Sequence, residues 1–132
     1  MRILVTGSRN WDDHRTLEQA LLKATVEAFK RREPIVIVHG AYTRGADEIA
    51  HRLAKYHGWQ EEPHPADWKT HGKSAGPIRN QEMCNLGADV CLAFPLGASP
   101  GTRDCMRRAG MHHIPIINYG DAQPTDDDMG FA

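Results

Sequence analysis

Three segments of this chain combine glycine with hydroxyl, basic and acidic side chains in patterns that suit the binding of an anion or a polyol. The first is Thr6-Gly7-Ser8-Arg9-Asn10-Trp11, directly after an apolar run. A glycine there lets backbone N–H groups approach an anion, and hydroxyls and Arg9 can complete the cradle at the positive end of the following helix. The second is His39-Gly40-Ala41-Tyr42-Thr43-Arg44-Gly45-Ala46-Asp47. Gly40 and Gly45 bracket a turn, Asp47 could accept ligand hydroxyls early in the next helix, and His39 stands at a strand end within reach of a ligand. The third, Phe94 to Asp104, gathers Pro95, Ser99, Gly101 and Thr102 ahead of a helix. There the backbone donors can converge without Cβ obstruction while the prolines stiffen the loop, which is the strongest phosphate-site signal in the chain. Each segment also has a plainer explanation: a helix-capping turn, an acid that stabilises a helix dipole, or a rigid turn without a ligand.

Between the second and third segments lies Pro65 to Pro77, rich in Pro, Gly, Lys and His. Trp68 in it could stack on a base or plug the core under a loop. Arg79 and Asn80 follow at the start of a helix, where the planar Arg79 guanidinium could grip a phosphate bidentately or simply pair with Glu82. No Lys-Ser/Thr follows Gly45 and no G-x-G-x-x-G occurs, so neither a Walker A loop nor a dinucleotide fingerprint is present. His14, His51 and His57 sit on helices with no further ligands close in sequence, and His112-His113 end a helix whose dipole favours them. Neither a metal site nor a cofactor is expected.

The elements that must position these loops alternate regularly. Residues 1–6, 35–38, 89–94 and 114–118 read as short strands, as does Trp59 to His64. Helical periodicity covers about 12–32, 45–57, 78–86 and 101–112. The stretch Pro65 to Pro77 is expected to be irregular and outside the core. Alternation of this kind predicts an α/β fold, a single Rossmann-like domain with a parallel sheet of about five strands and helices on both faces. In such sheets, ligands bind at the carboxyl ends of the strands, where the three segments fall.

With 132 residues the chain has one domain's worth of sequence, and at 40% hydrophobic and 25% charged it has ordinary globular composition. It has no apolar run near the roughly 18 residues of a membrane helix. Met1 leads into Arg2-Ile3-Leu4-Val5, too short and wrongly flanked for a secretory signal, so a cytoplasmic protein without membrane partners is expected. Of seventeen acids, Asp121, Asp126, Asp127 and Asp128 fall in the last twelve residues, which hold no Lys or Arg. The sixteen basic residues therefore face thirteen acids over residues 1–120, a charge of +3 with His neutral. That is too mild for a dedicated duplex-DNA binder. The tail 119–132 is expected to be acidic and flexible. Cys84, Cys91 and Cys105 are odd in number and widely spaced, and read as buried reduced thiols.

Taken together, Thr6-Gly7-Ser8-Arg9, His39-Gly40 with Gly45-Ala46-Asp47, Pro65-Ala66-Asp67-Trp68, Gly76-Pro77-Ile78-Arg79-Asn80 with Met83, Gly87-Ala88-Asp89 and Ser99-Pro100-Gly101-Thr102 resemble the YspA/cpYpsA-related branch of the SLOG superfamily. That superfamily joins the Smf/DprA proteins to the Lonely Guy enzymes. The resemblance spans about residues 1–118 and implies a Rossmann-like domain that binds a nucleotide or nucleotide derivative. Lonely Guy enzymes, which cleave the base from cytokinin nucleotides, resemble the chain more distantly at Arg79-Asn80 with Met83 and Ala88-Asp89, where Asn80 replaces a Lys. Their glycine-rich loop is similar to Pro95 through Asp104, with Asp104 where their catalytic Glu stands.

The function expected is therefore a binding module that senses or sequesters a nucleotide-derived small molecule. The alternative is a nucleotide N-glycosidase or nucleoside 5'-monophosphate phosphoribohydrolase using Arg79 and Asp104. Single-stranded DNA binding is disfavoured by the near-neutral charge and few aromatics. The apolar helix after Gly101 could supply an interface between copies of the chain, although core burial would use the same residues.

Overall fold

Ile3, Leu4 and Val5 are wholly buried, as a strand covered on both faces requires, and they form the centre of β1 (Arg2–Gly7). A computed structural model describes residues 1–121. In it β1 pairs in parallel with β2 (Val36–His39) on one side and β4 (Val90–Phe94) on the other. β3 (Gln60–Pro63) and β5 (Ile116–Asn118) form the edges, giving the order β3-β2-β1-β4-β5. The α/β fold expected from the alternation is the one observed.

Because side chains alternate across a strand, the sheet has two cores. Ile3, Val5, Ile37, Leu92 and Phe94 face α1 (His14–Arg31) and α2 (Ala46–His57), packing on Leu17, Leu21, Ile49 and Ala50. Leu4, Val38 and Cys91 face the opposite way, onto Met83 and Cys84 of α4 (Ala75–Leu86) and Cys105 and Ala109 of α5 (Pro100–Met111). All three cysteines are free and buried. Each fully buried Leu or Ile stabilises this arrangement by about 1.5–3 kcal/mol.

Residues 65–77 are more regular than their composition suggests. Asp67 caps a single turn, α3 (Trp68–His71), by accepting from Thr70 N–H at 3.1 Å. A 3-10 turn, Gly72–Ser74, then leads into α4, which starts at Ala75 rather than Ile78. Pro77 does not delay the helix, because in a first turn its missing N–H has no helical partner to lose. Ala75 and Gly76 are buried, against the expectation that this stretch lies outside the core.

Residues 119–121 are also more ordered than their polarity suggests. Tyr119 stacks on Phe94 with centroids 5.4 Å apart, and its N–H donates to Ala93 at 2.8 Å. Asp121 takes two hydrogen bonds from Arg103, at 2.7 and 2.8 Å, so residues 119–121 are docked rather than free. Asp126, Asp127 and Asp128 lie outside the described residues. No helix among those described is long and apolar enough to cross a membrane.

Strand order reverses at β1, whose successor β2 lies on one side and β4 on the other. The loops leaving β1 and β4 therefore lead to helices on opposite faces, opening a crevice beyond their carboxyl ends.

Candidate functional site

A cleft of about 320 Å³ occupies that crevice. Its first wall is Thr6 to Asn10, a loop held in one conformation by hydrogen bonds at Ser8. Ser8 N–H donates to Phe94 O at 2.9 Å, while Ser8 O accepts from Trp11 at 3.2 Å and from Ala46 at 3.1 Å. The Ser8 hydroxyl accepts from Asn10 N–H at 3.0 Å.

The opposite wall is the start of α5. Ser99 adopts a left-handed conformation (φ 36°), and its hydroxyl is occupied inside its own loop, accepting from Leu96 N–H at 2.9 Å and donating to Leu96 O at 2.7 Å. Ser99 thus lines the cleft while its hydroxyl shapes the loop. Pro100 fills the first helical position. The N–H groups of Gly101 and Thr102 have no acceptor among the described residues. A Cβ on Gly101 would meet nothing within 4 Å, so the helix begins with two free donors beside open space.

Between the walls stand Asp47, Arg79 and Asn80. Asp47 is buried, accepts from Tyr42 N–H at 3.2 Å and from Gly40 N–H, and so holds the loop after β2. Burial pushes its carboxyl above the usual range, outweighing the opposing pull of those N–H groups, His39 and Arg79. Arg79 donates from Nη1 to the carbonyls of Gly40 (2.5 Å) and His64 (3.3 Å), and from Nε to Asn80 Oδ1 (2.9 Å). It has no carboxylate within ion-pair distance among the described residues. Glu82 instead approaches His64, at 3.4 Å.

Thr6, Gly7, Ser8, Arg9, Gly40, Asp47, Arg79, Asn80, Ser99, Gly101 and Thr102 are thereby brought together. The other expected residues stand apart. His39 is turned to the far side of its loop, its Nε2 2.7 Å from Glu61 and its Nδ1 accepting from Ala41 N–H at 2.9 Å. Gly45 (φ 75°) lets α2 approach the first loop, since a Cβ would collide with the Ser8 carbonyl and lie 2.5 Å from the Arg9 carbonyl carbon. Pro95 is buried under Gly120. Trp68 lies at the rim, 5.9 Å from the Arg9 guanidinium.

Asp104 is behind the cleft rather than in it. Its Oδ1 accepts from Arg107 at 2.7 Å, and its Oδ2 from Arg108 at 2.9 Å and Asn80 at 3.1 Å. Burial raises this carboxyl, but the bonds from Arg108, Asn80 and Arg107 prevail and hold it below the usual range.

Asn10, Tyr42, Met83, Leu96 and Pro100 also line the cleft. Met83 is one helical turn beyond Arg79 and Asn80, a spacing that could have indicated it. Tyr42 offered only its place between two loop glycines.

The structure also unites His39, His51 and Glu61, which sequence spacing keeps apart. Their polar atoms lie within 4.8 Å of one another, with His51 Nδ1 2.6 Å from Glu61 Oε2. Such a trio could ligate a metal in principle. Because His39 Nδ1 accepts a backbone hydrogen bond, neutral His39 carries its proton on Nε2 and donates it to Glu61. The geometry is therefore that of a hydrogen-bonded cluster, with Glu61 held below the usual range: burial opposes this, but His39 and His51 outweigh it.

A family model for the YspA, cpYpsA-related SLOG family matches residues 1–71. The chain belongs to this family. The matched region carries the first loop, Gly40, Asp47 and Trp68, while Arg79 and the α5 wall lie beyond it. The chain is also similar to the Gene 61 protein of Mycobacterium phage D29, with 51% identity over 125 residues, 91% of this chain and 97% of that protein. In this SLOG chain the crevice between β1 and β4 is thus formed by the family region together with α4 and α5.

Proposed function

We propose that the cleft binds a nucleotide or nucleotide-derived small molecule, with its phosphate against the N-terminus of α5. The observation that carries this reading is the pair of unaccepted N–H groups of Gly101 and Thr102. They open into the same cleft as Arg79, a guanidinium with no carboxylate within ion-pair distance among the described residues. Free helix N–H groups, the helix dipole and a planar cation all favour an oxyanion. Asp47, buried with a raised pKa and facing the same space, suits ribose hydroxyls. The family assignment supports a nucleotide-related ligand.

Hydrolysis of a nucleotide N-glycosidic bond is a second reading, favoured by one observation. Asp47 brings a buried carboxyl to the cleft lining, and burial raises its pKa, the direction in which acid–base catalysis tunes such groups. The carboxylate for such a reaction would then be Asp47 rather than Asp104, both of whose oxygens are occupied.

Calorimetric titration with nucleoside 5'-monophosphates and the matching nucleosides tests the binding reading. Binding of the phosphorylated series, and weaker or no binding of the nucleosides, is expected; equal affinities would refute the phosphate assignment. Chromatography of the same mixtures for free base separates the two readings, and release that Asp47→Asn abolishes would establish the second.

A further inference from the structure

We infer that the mouth of the cleft is a stacking subsite for a nucleobase, formed by Arg9, Tyr42 and Trp68. This rests on the reading above and assigns the ligand's second end. The Arg9 guanidinium lies over the Tyr42 ring at 4.1 Å from its centroid and 5.9 Å from that of Trp68. The three side chains come from separate segments: the loop after β1, the loop after β2, and α3. Trp68 is 44% exposed, yet one edge of its indole is fixed against the first turn of α4, where a Cβ on Gly76 would come within 3.3 Å. The indole is thus nearly half exposed and lies beside Arg9, which lines the polar cleft.

The cleft is thus polar where Gly101, Thr102, Arg79 and Asp47 meet, and at its edge Arg9 stands between the Tyr42 ring, which lines it, and Trp68 just outside its lining. A ligand matching both ends is amphipathic, with an oxyanion at one end and a planar ring at the other. Flatness selects the ring: guanidinium and aromatic faces gain from a parallel π surface, and an alkyl chain or a bare sugar offers none. Arg9 is exposed and held over Tyr42 by a cation–π contact, which is weak at exposed sites, so it can yield to an entering base and cover its other face. The Tyr42 backbone N–H that supports Asp47 is separate from its ring. Replacing the ring therefore leaves that support in place.

The test compares AMP, GMP, CMP and UMP with ribose 5-phosphate, which keeps the sugar and phosphate but lacks the base, by calorimetric titration. The tightest monophosphate is expected to bind at least five-fold more tightly than ribose 5-phosphate, the scale of one base–aromatic stack. Trp68→Ala and Tyr42→Ala should each bring that ratio toward one by weakening the monophosphate more than ribose 5-phosphate, and the ratio lost in Trp68→Ala should return in Trp68→Phe. Melting temperatures confirm that each variant is folded, and Tyr42→Ala decides the matter if Trp68→Ala is not. Monophosphate binding with a ratio that no variant changes would overturn the stacking subsite and leave the phosphate reading intact. Failure of every probe to bind the unmodified protein would overturn both.

Discussion

Asn80 Nδ2 donates to both the Gly101 carbonyl and Asp104 Oδ2, each at 3.1 Å, so one amide joins the first turn of α5 to the carboxylate behind it. Asp104 acts on the cleft through Asn80. Asp104→Ala should leave Asn80 Nδ2 with Gly101 O alone and remove the carboxylate that Arg107 and Arg108 share, costing about 1–2 kcal/mol of stability. Chemical denaturation checks the cost. The phosphate affinity should fall less than in Arg79→Lys, since Asp104 does not line the cleft.

Gly101→Ala places a methyl in open space on a helix, so the protein alone should melt at the same temperature or slightly higher. Phosphate-dependent binding should nevertheless weaken, and more so in Gly101→Val. Gly7→Ala is the contrasting case. Its Cβ would lie 2.5 Å from that of Ala46, and an overpacking loss of about 1–3 kcal/mol should appear by thermal melting without any ligand.

Arg79→Lys keeps the charge but loses the planar fork. Monophosphate affinity should fall about ten-fold or more, the scale of one charge-assisted hydrogen bond. A stability loss of about 1 kcal/mol should accompany it, because the guanidinium also donates to Gly40 and His64. An unchanged dissociation constant would remove Arg79 from the binding site.

The side-chain hydrogen bonds from Arg2, at 2.6 and 2.8 Å, hold the Glu62 carboxyl down at about 2 from its ordinary 4.5. A carboxyl lowered on folding contributes stability that is fully present above its unfolded value and lost as pH falls through the folded one. Melting temperature should therefore drop as the pH is lowered from about 4.5 to about 2. Glu62→Gln should melt lower than the parent at pH 6, with the difference shrinking across that window.

Much of this was legible from local pattern. Ile3-Leu4-Val5 and Val90 to Phe94 are continuous apolar runs because both their faces are covered, and such runs announce central parallel strands. The loop glycines marked the crevice, but composition did not say what each makes room for. Gly7 and Gly45 admit protein atoms, while Gly101 faces open space. The start of α4 was hidden because Pro77 reads as a breaker unless its place in the first turn is known. His39 meets Glu61 through the pairing of β2 with β3, which sets Ile37 opposite Glu61, and His51 reaches the same carboxylate from α2; neither can be read from spacing. Asp104 could have been read better, since Arg107 and Arg108 stand three and four residues on, where helical neighbours meet.

The clasp between Arg103 and Asp121 gives residues 119–121 a mechanical role. Arg103 also grips the carbonyls of Gly97 and Ala98, at 2.7 and 3.1 Å, in the turn before α5. The same guanidinium thus braces the phosphate-facing ledge and anchors the segment after the last strand. Shortening the protein to residue 118, a natural stopping place by hydropathy, would uncover Phe94 and leave that brace with one hold fewer. Engineered versions should keep the chain through Asp121 and attach any fusion partner beyond it.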